Sequence, residues 1–289
     1  MTEKMTTMPK MTISELEKLG SQKLRASDKE NPDFDARCLL EFVLNLNPTK
    51  YLLNRSEEVD SACAEKFLSL VERRSNGEPL QYILGKWEFM GLPFYVGEGV
   101  LIPRPETEML VEFALDFLKD KKNPVVIDLC SGSGCIAISV AKHLPNAKVY
   151  AVEKSDLAFP YLKKNIWLNC VFNVSAVHGD IFDRTLLSDI KPDLILSNPP
   201  YIRSPEIASL QSEVRNEPSM ALDGGEDGLI FYREIADGWL DRLGTGGAIE
   251  VECAEDQTED IIRMFSEKTQ YAEAFNDLSG LPRTVTAIK

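Results

Sequence analysis

The spacing of apolar residues changes along the chain, and each change marks a region. From residue 12 to about 76 it is helical. Ile13, Leu16 and Leu19 share one face, Phe34, Leu39, Phe42, Val43 and Leu46 form a second stripe, and Phe67, Leu68 and Val71 a third. Ser14, Asp33 and Asp60 suit N-caps, and Pro48 and Gly77 suit stops. The pattern predicts an N-terminal helical domain over residues 1–78, a bundle of short helices with roughly the first 11 residues frayed. Helical stripes of this kind serve mainly as core, and docking of a macromolecular substrate is the alternative. From 79 to 104 the period shortens, and residues 87–96 predict a β-hairpin turning near residues 91–93, a linker to the third region.

That third region, 105–289, alternates strand and helix. Pro105 suits the first position of a helix and Glu106 and Glu108 its first turn, with Leu110, Val111, Ala114, Leu115 and Leu118 along one face. Strands are predicted at 125–129, 147–152 (running into Glu153), 174–177, 193–197 and 248–252, and near 271–276 and 283–288. Helices are predicted at 135–144, 229–243 and 256–266. Apolar strands alternating with helices predict an α/β fold, a doubly wound, mostly parallel seven-stranded Rossmann-like sheet covered on both faces. Residues 203–227 show no period, and so long a connection in a compact domain is expected to serve a site.

Composition narrows the options. With 44% hydrophobic residues among 289, a large core is available, and the formal net charge of −14 runs against a general nucleic-acid binder. The six cysteines include no Cys-x-x-Cys pair and there are only two histidines, so neither a metal site nor a disulfide framework is expected; buried free thiols are. Residues 1–10 lack the apolar core of a signal peptide and no apolar run is long enough to span a bilayer, so a soluble, cytoplasmic chain is expected.

The chemistry gathers at strand ends. Asp128, Cys130, Ser131, Gly132, Ser133 and Gly134 form a glycine-rich loop between a strand and a helix, where missing Cβ atoms admit a ligand to the backbone. The loop departs from the dinucleotide fingerprint, and its acidic Asp128 is unsuited to a pyrophosphate. Glu153 ends the next strand, where a carboxylate can accept from both ribose hydroxyls. Asp180 ends the third and could accept from an adenine amino group, with Ile181 packing on the ring. Three acidic strand ends imply an adenosine without phosphates, S-adenosyl-L-methionine. The fourth strand runs into Asn198-Pro199-Pro200-Tyr201, whose prolines stiffen the backbone and push Asn198 out of the α region. The Asn198 amide and the carbonyls of Asn198 and Pro199 are thereby held in a stiff array at the C-terminal end of a strand, where open α/β sheets bind ligands. Arg104, between two prolines, is a fixed guanidinium that could face the same site.

These motifs resemble those of class I S-adenosylmethionine-dependent methyltransferases. Residues 102–108 and 217–229 resemble a narrower group, the release factor glutamine methyltransferases (HemK-type). The resemblance implies methylation of the glutamine of a Gly-Gly-Gln loop in peptide chain release factors, with Asn198, Pro199 and Tyr201 as catalytic residues: the Asn198 side-chain oxygen and the Pro199 carbonyl would accept the two N–H bonds of the amide nitrogen, Tyr201 would stack on its plane, and Pro200 and Arg104 would lie beside them on the substrate. It implies cofactor contacts from the loop, Glu153, Asp180, Ile181 and Asn198, no nucleic-acid or membrane partner, and a monomer. Cys130 stands where the group usually has glycine, Glu153 where it has aspartate, and Val251-Glu252-Cys253 where it has an acidic residue, isoleucine and glycine at that strand end. The rival readings are a nucleic-acid amino-methyltransferase acting on a flipped base and a catalytically silent adenosine-binding protein.

Overall fold

In the computed structural model, which describes residues 10–289, the chain divides into two compact units, the first ending at Gly85 and the second running from Lys86 to Lys289. The fraying expected at the N-terminus falls outside the described residues up to residue 9. Met11 is ordered: β1 (Met11–Thr12) pairs antiparallel with β2 (Glu58–Val59), Met11 opposite Val59. Thr12, not Ser14, caps α1 (Ile13–Ala26): both have a glutamate three positions on, but the reciprocal bonds form between Thr12 and Glu15. The Glu15 carboxylate accepts from the Thr12 N–H at 2.8 Å and the Thr12 hydroxyl accepts from the Glu15 N–H at 3.3 Å.

Asp33 likewise lies inside α2 (Pro32–Leu44), where Pro32 takes the first position, and Pro48 opens α3 (Pro48–Leu53) rather than only closing α2. Asp60 caps α4 (Ser61–Ser75) as expected, accepting from the Cys63 N–H at 2.9 Å, and α5 (Leu80–Leu84) ends the unit. The core holds Leu16, Leu24, Leu39, Leu40, Phe67 and Val71. The stripe predicted on α2 is therefore turned: Ala36, Leu39 and Leu40 go inside while Phe34 and Phe42 face solvent.

The larger unit opens with the hairpin β3 (Lys86–Phe89) and β4 (Leu92–Tyr95). Its two-residue turn is Met90 and Gly91, with φ of +50° and +68°, the hand that matches strand twist, so Pro93 lies in the strand and not in the turn. The Glu108 carboxylate accepts from the Met90 N–H at 2.7 Å, tying the hairpin to α6 (Glu108–Leu118). A 3-10 turn, Pro105–Thr107, leads into that helix.

Seven strands among the described residues form the main sheet: β5 (Val125–Leu129), β6 (Lys148–Glu153), β7 (Val174–His178), β8 (Leu194–Ser197), β9 (Ala248–Glu252), β10 (Tyr271–Asn276) and β11 (Pro282–Ile288). Their order is β10-β11-β9-β8-β5-β6-β7, parallel from β9 to β7 and antiparallel through β11 and β10. Period-two alternation sends Val126, Val149 and Leu194 to one face, under α6, α7 (Cys135–His143) and α8 (Phe159–Leu168). Ile127, Ile195 and Ile249 go to the other, against Tyr232, Trp239 and Phe265.

After α9 (Ser212–Arg215), the helix predicted over 229–243 is not uniform. It runs as α10 (Ile230–Glu234), a π turn Ile235–Trp239 and a 3-10 turn Leu240–Arg242. The wider turn lets consecutive Trp239 and Leu240 both bury fully, with the indole N–H donating to the Ile181 carbonyl at 3.0 Å. The last helix, α11 (Thr258–Ser266), follows β9 through the 3-10 turn Glu255–Gln257. All six cysteines are free thiols; Cys135 and Cys253 are buried as expected, whereas Cys170 is exposed. The path from β5 steps outward to β6 and β7, then returns to β8 and β9 on the other side. The strand order therefore reverses at β5 and β8, and the crevice above their C-terminal ends is where such sheets bind ligands.

Candidate cofactor and acceptor site

The loop after β5 holds three left-handed residues, Cys130 (φ +60°), Gly132 (+55°) and Gly134 (+82°). Cys130 therefore takes a conformation that glycine would adopt more easily. It is held there by its neighbour Ser131, whose N–H donates to the Val152 carbonyl and whose hydroxyl donates to the Asp128 carbonyl, both at 2.9 Å. A Cβ placed on Gly132 would meet nothing within 4 Å, so the loop leaves open space where a side chain would stand.

Asp128 is fully buried beneath the loop. Its Oδ2 accepts from the Ala137 N–H at 3.2 Å, and its Oδ1 has no partner among the described residues. Burial pushes its pKa up to about 7, against the weaker pull of the nearby Ser131 hydroxyl and the Ala137 N–H. Glu153, at the end of β6, clamps the loop: Oε2 accepts from the Gly132 N–H at 2.7 Å and Oε1 from the Ser155 N–H at 2.6 Å. Burial raises its pKa and these backbone donors hold it back. Beyond β7, Asp180 pairs with Lys154 at 2.8 Å and accepts from the Phe182 N–H at 3.1 Å, and Ile181 is buried beside it.

On the other side of the crevice, the Ser197 hydroxyl donates to the Leu129 carbonyl at 2.8 Å, locking the ends of β8 and β5 together. Asn198 follows. Its Nδ2 donates to the Thr107 hydroxyl at 3.1 Å, and Thr107 donates to Glu252 Oε2 at 2.6 Å. Tyr201 turns its hydroxyl to Glu252 Oε1 at 3.4 Å, and it packs, partly buried, against the core on that face of the sheet.

The long connection folds back on this turn. Ile202 bridges Asp223, the Gly224 N–H donates to the Ile202 carbonyl at 2.8 Å, and a Cβ on Gly224 would stand 2.8 Å from the Pro200 carbonyl oxygen. Gly224 and Gly228 are thus glycines because backbone lies on backbone there. The run 217–229 also carries Glu217, a buried carboxylate that accepts from the Ile102 N–H at 2.9 Å and from the Arg104 guanidinium. Burial raises the Glu217 pKa and Arg104 opposes it.

One cavity collects most of the residues predicted from sequence. Cys130, Ser131, Gly132 and Ser133 line its floor, Glu153, Asp180 and Ile181 one end, and Asn198, Pro200 and Arg104 the other. Asp128, Gly134, Pro199 and Tyr201 do not line it: Asp128 lies below the loop, Gly134 opens α7 packed on Leu162, Pro199 is buried, and Tyr201 faces Glu252. The lining also includes Thr107, Pro218, Met220, Ala221 and Phe231, which sequence reasoning did not single out. Thr107 and the carboxylate of Glu217 stand inside the two runs that carry the narrower family resemblance. Glu252 is a fourth acidic strand end, so the rule that marked Glu153 and Asp180 extends to it.

Comparison with known proteins adds an independent line. The family description "PrmC N-terminal domain" matches residues 15–85, and "Methyltransferase small domain" matches residues 107–225. The chain is similar to a release factor glutamine methyltransferase of Thermodesulfovibrio yellowstonii, 39% identical over 259 residues, covering 87% of this chain and 90% of that protein. It is similar to one of Geobacter sulfurreducens, 40% identical over 259 residues and 89% of each chain. Among solved structures, the hMettl16 catalytic domain in complex with the MAT2A 3'UTR hairpin 6 superposes with a TM-score of 0.55 at 19% identity, covering 78% of this chain and 81% of that one. The Thermus thermophilus 16S rRNA N2 G1207 methyltransferase in complex with AdoMet and guanosine gives 0.52 at 19% identity, over 71% of this chain and 49% of that one. At such identities the likeness is one of fold.

Proposed function

Because this chain belongs to the family of release factor glutamine methyltransferases, we propose that it methylates peptide chain release factors, transferring a methyl group from S-adenosyl-L-methionine to the side-chain amide nitrogen (N5) of the glutamine in their Gly-Gly-Gln loop. The residues at the crevice fit that cofactor. The open space at Gly132 and the carboxylates of Glu153 and Asp180 suit a ligand rich in hydroxyl and amino donors and free of phosphate. The loop 130–134 would hold its methionine part, Glu153 its ribose, and Asp180 with Ile181 its adenine. When bound, it supplies a methyl group already activated on a sulfonium.

The acceptor is the harder partner, because an amide nitrogen shares its lone pair with the carbonyl. Asn198 gives its Nδ2 to Thr107, which leaves its Oδ1 as an acceptor beside the cavity. That observation carries the reading. Asn198 Oδ1 would accept from an N–H of the glutamine amide, aim its nitrogen and stabilise the positive charge that grows on it, and Pro199, which does not line the cavity, would stiffen the turn that holds Asn198. Arg104, fixed by Glu217, would border the acceptor, and Tyr201, turned to Glu252, would brace the turn rather than stack on the amide. We take the protein to act as a cytoplasmic monomer on release factor rather than nucleic acid, in keeping with its charge of −14. No helix among the described residues is long and apolar enough to cross a membrane.

The test is mass spectrometry of a Gly-Gly-Gln release factor after incubation with enzyme and S-adenosylmethionine. The wild type should add one methyl group to the glutamine. Asn198→Ala should lose about 10²–10³ in turnover, with a smaller loss of cofactor affinity, and Asn198→Asp should keep more activity than Ala. Methylation by Asn198→Ala at the wild-type rate would refute the role of the turn.

A further inference from the structure

An asparagine amide has two ends of nearly equal shape and opposite polarity, so packing alone does not choose which end faces the cavity. Its hydrogen-bond neighbours must. At Asn198 the neighbour is Thr107, 2% exposed, whose hydroxyl carries one proton. That proton points to Glu252 Oε2 at 2.6 Å, the length of a bond to an ionised acceptor. Only lone pairs of Thr107 remain for Asn198, and the amide answers with its Nδ2 at 3.1 Å. The Glu252 carboxylate is itself held in place, with Oε1 accepting from Tyr201 at 3.4 Å and its main-chain carbonyl accepting from the Tyr232 hydroxyl at 2.7 Å.

We propose that Glu252 is a positioning residue that, through Thr107, sets the polarity of Asn198 and so turns its carbonyl oxygen toward the acceptor nitrogen. This rests on the function proposed above. When Glu252 takes up a proton it becomes a donor to Thr107. The Thr107 hydroxyl is then free to turn to Asn198, the amide flips, and an NH2 group meets the incoming NH2. Two donors then face each other, and the orientation needed for transfer is lost.

The surroundings of Glu252 put this change within reach of ordinary pH. Burial raises its pKa to about 7, the Thr107 hydrogen bond and the Arg283 guanidinium on β11 pull it down, and Glu106 on the 3-10 turn pushes it further up. The other titratable groups around it are Tyr201, Tyr232, Cys135 and Cys253, all driven upward by burial and so neutral across this range. Asp128 also titrates near 7 beneath the cofactor loop, so a wild-type pH profile does not by itself identify the group.

The experiment measures methylation of a Gly-Gly-Gln release factor at saturating substrate and cofactor from pH 5.5 to 9. It compares wild type, Glu252→Gln, Thr107→Val, Thr107→Ser, Asn198→Ala and the double variant Asn198→Ala with Glu252→Gln. Calorimetric S-adenosylmethionine binding on the same samples shows that each is folded. The wild-type kcat should fall on the acid side of about 7. In Glu252→Gln kcat should fall about 10²-fold at neutral pH with both KM values within about threefold, and the acid limb should vanish. Thr107→Val should behave like Glu252→Gln, whereas Thr107→Ser, which keeps the hydroxyl, should stay within about threefold of wild type. On the Asn198→Ala background, Glu252→Gln should cost less than about threefold, because its effect passes through Asn198.

An equal cost on both backgrounds would make Glu252 merely structural and overturn the proposal. So would a wild-type rate in Glu252→Gln or in Thr107→Val. If the wild type adds no methyl group to the release factor, the functional reading fails and takes this inference with it. If the wild type methylates and Asn198→Ala does not, an unaffected Glu252→Gln sinks this inference alone.

Discussion

Glu250 offers a direct test of the electrostatics in the sheet. It sits on β9 opposite Thr286 of β11, 2% exposed, with its Oε2 and the hydroxyls of Thr284 and Thr286 all lacking a well-formed hydrogen bond among the described residues. Burial raises its pKa from the ordinary 4.5 to about 8, against a weaker opposing pull from the two threonines. The folded state thus holds this proton more tightly than the unfolded chain does. The stability it confers is complete below about 4.5 and is lost as pH rises through about 8.

At roughly 1.4 kcal/mol per tenfold change in proton affinity, the loss is about 1 kcal/mol by pH 5 and about 4 kcal/mol by pH 8. Glu250→Gln keeps the shape, carries no titrating proton and can donate to the threonine hydroxyls. Its stability advantage over wild type should therefore widen by roughly 3 kcal/mol between pH 5 and 8, or about 6–12 °C in melting temperature for a unit of this size. Asp128 and Glu252, both raised to about 7, weaken the two proteins alike and drop out of the difference. Thermal and urea unfolding at pH 5, 6, 7 and 8 supply the measurement. Parallel curves for the two proteins would show that Glu250 titrates normally and that the burial argument is wrong.

Two further predictions concern the crevice. Glu153→Gln leaves one acceptor oxygen for two backbone donors, Gly132 and Ser155, so the loop loses one anchor. S-adenosylmethionine affinity should fall about 10- to 100-fold, the equivalent of one unsatisfied buried hydrogen bond, and unchanged affinity in calorimetry would remove Glu153 from the cofactor site. Deleting residues 206–211 shortens the connection while leaving the Glu217–Arg104 pair intact. It should lower kcat/KM for release factor on the order of tenfold with cofactor affinity preserved, and equal loss of both would make the segment a structural strut.

The sheet was legible in the sequence because its strands are short apolar runs bounded by turn residues, and every predicted strand lies within two residues of its observed limits. The glycine loop and the acidic strand ends were legible for the same reason, since both are local signals, and residues 130–133, Glu153 and Asp180 do line one cavity. The N-terminal caps were misplaced because Thr12 and Ser14 both suit a cap, and only the reciprocal bond with Glu15 selects Thr12. The helix over 229–243 hid its π turn because the wider turn serves tertiary burial of Trp239, which no periodicity reveals. Thr107, Glu217 and Glu252 act through partners far along the chain, so local spacing could not show what each one touches.

That distance has a consequence for how the protein is made. Gly132 and Glu153, bonded across the glycine loop, are separated by 21 residues, whereas Arg104 and Glu217 are separated by 113 and Thr107 and Glu252 by 145. Contacts that close long loops carry the larger entropic cost and form later. The contacts around the glycine loop are thus the local ones, cheap to close, and those that back Asn198 are the most distant in sequence and the costliest. On a growing chain, Asn198 gains its backing only once β9 has been synthesised and has taken its place beside β8. The capacity to methylate is thereby tied to the completeness of the polypeptide itself.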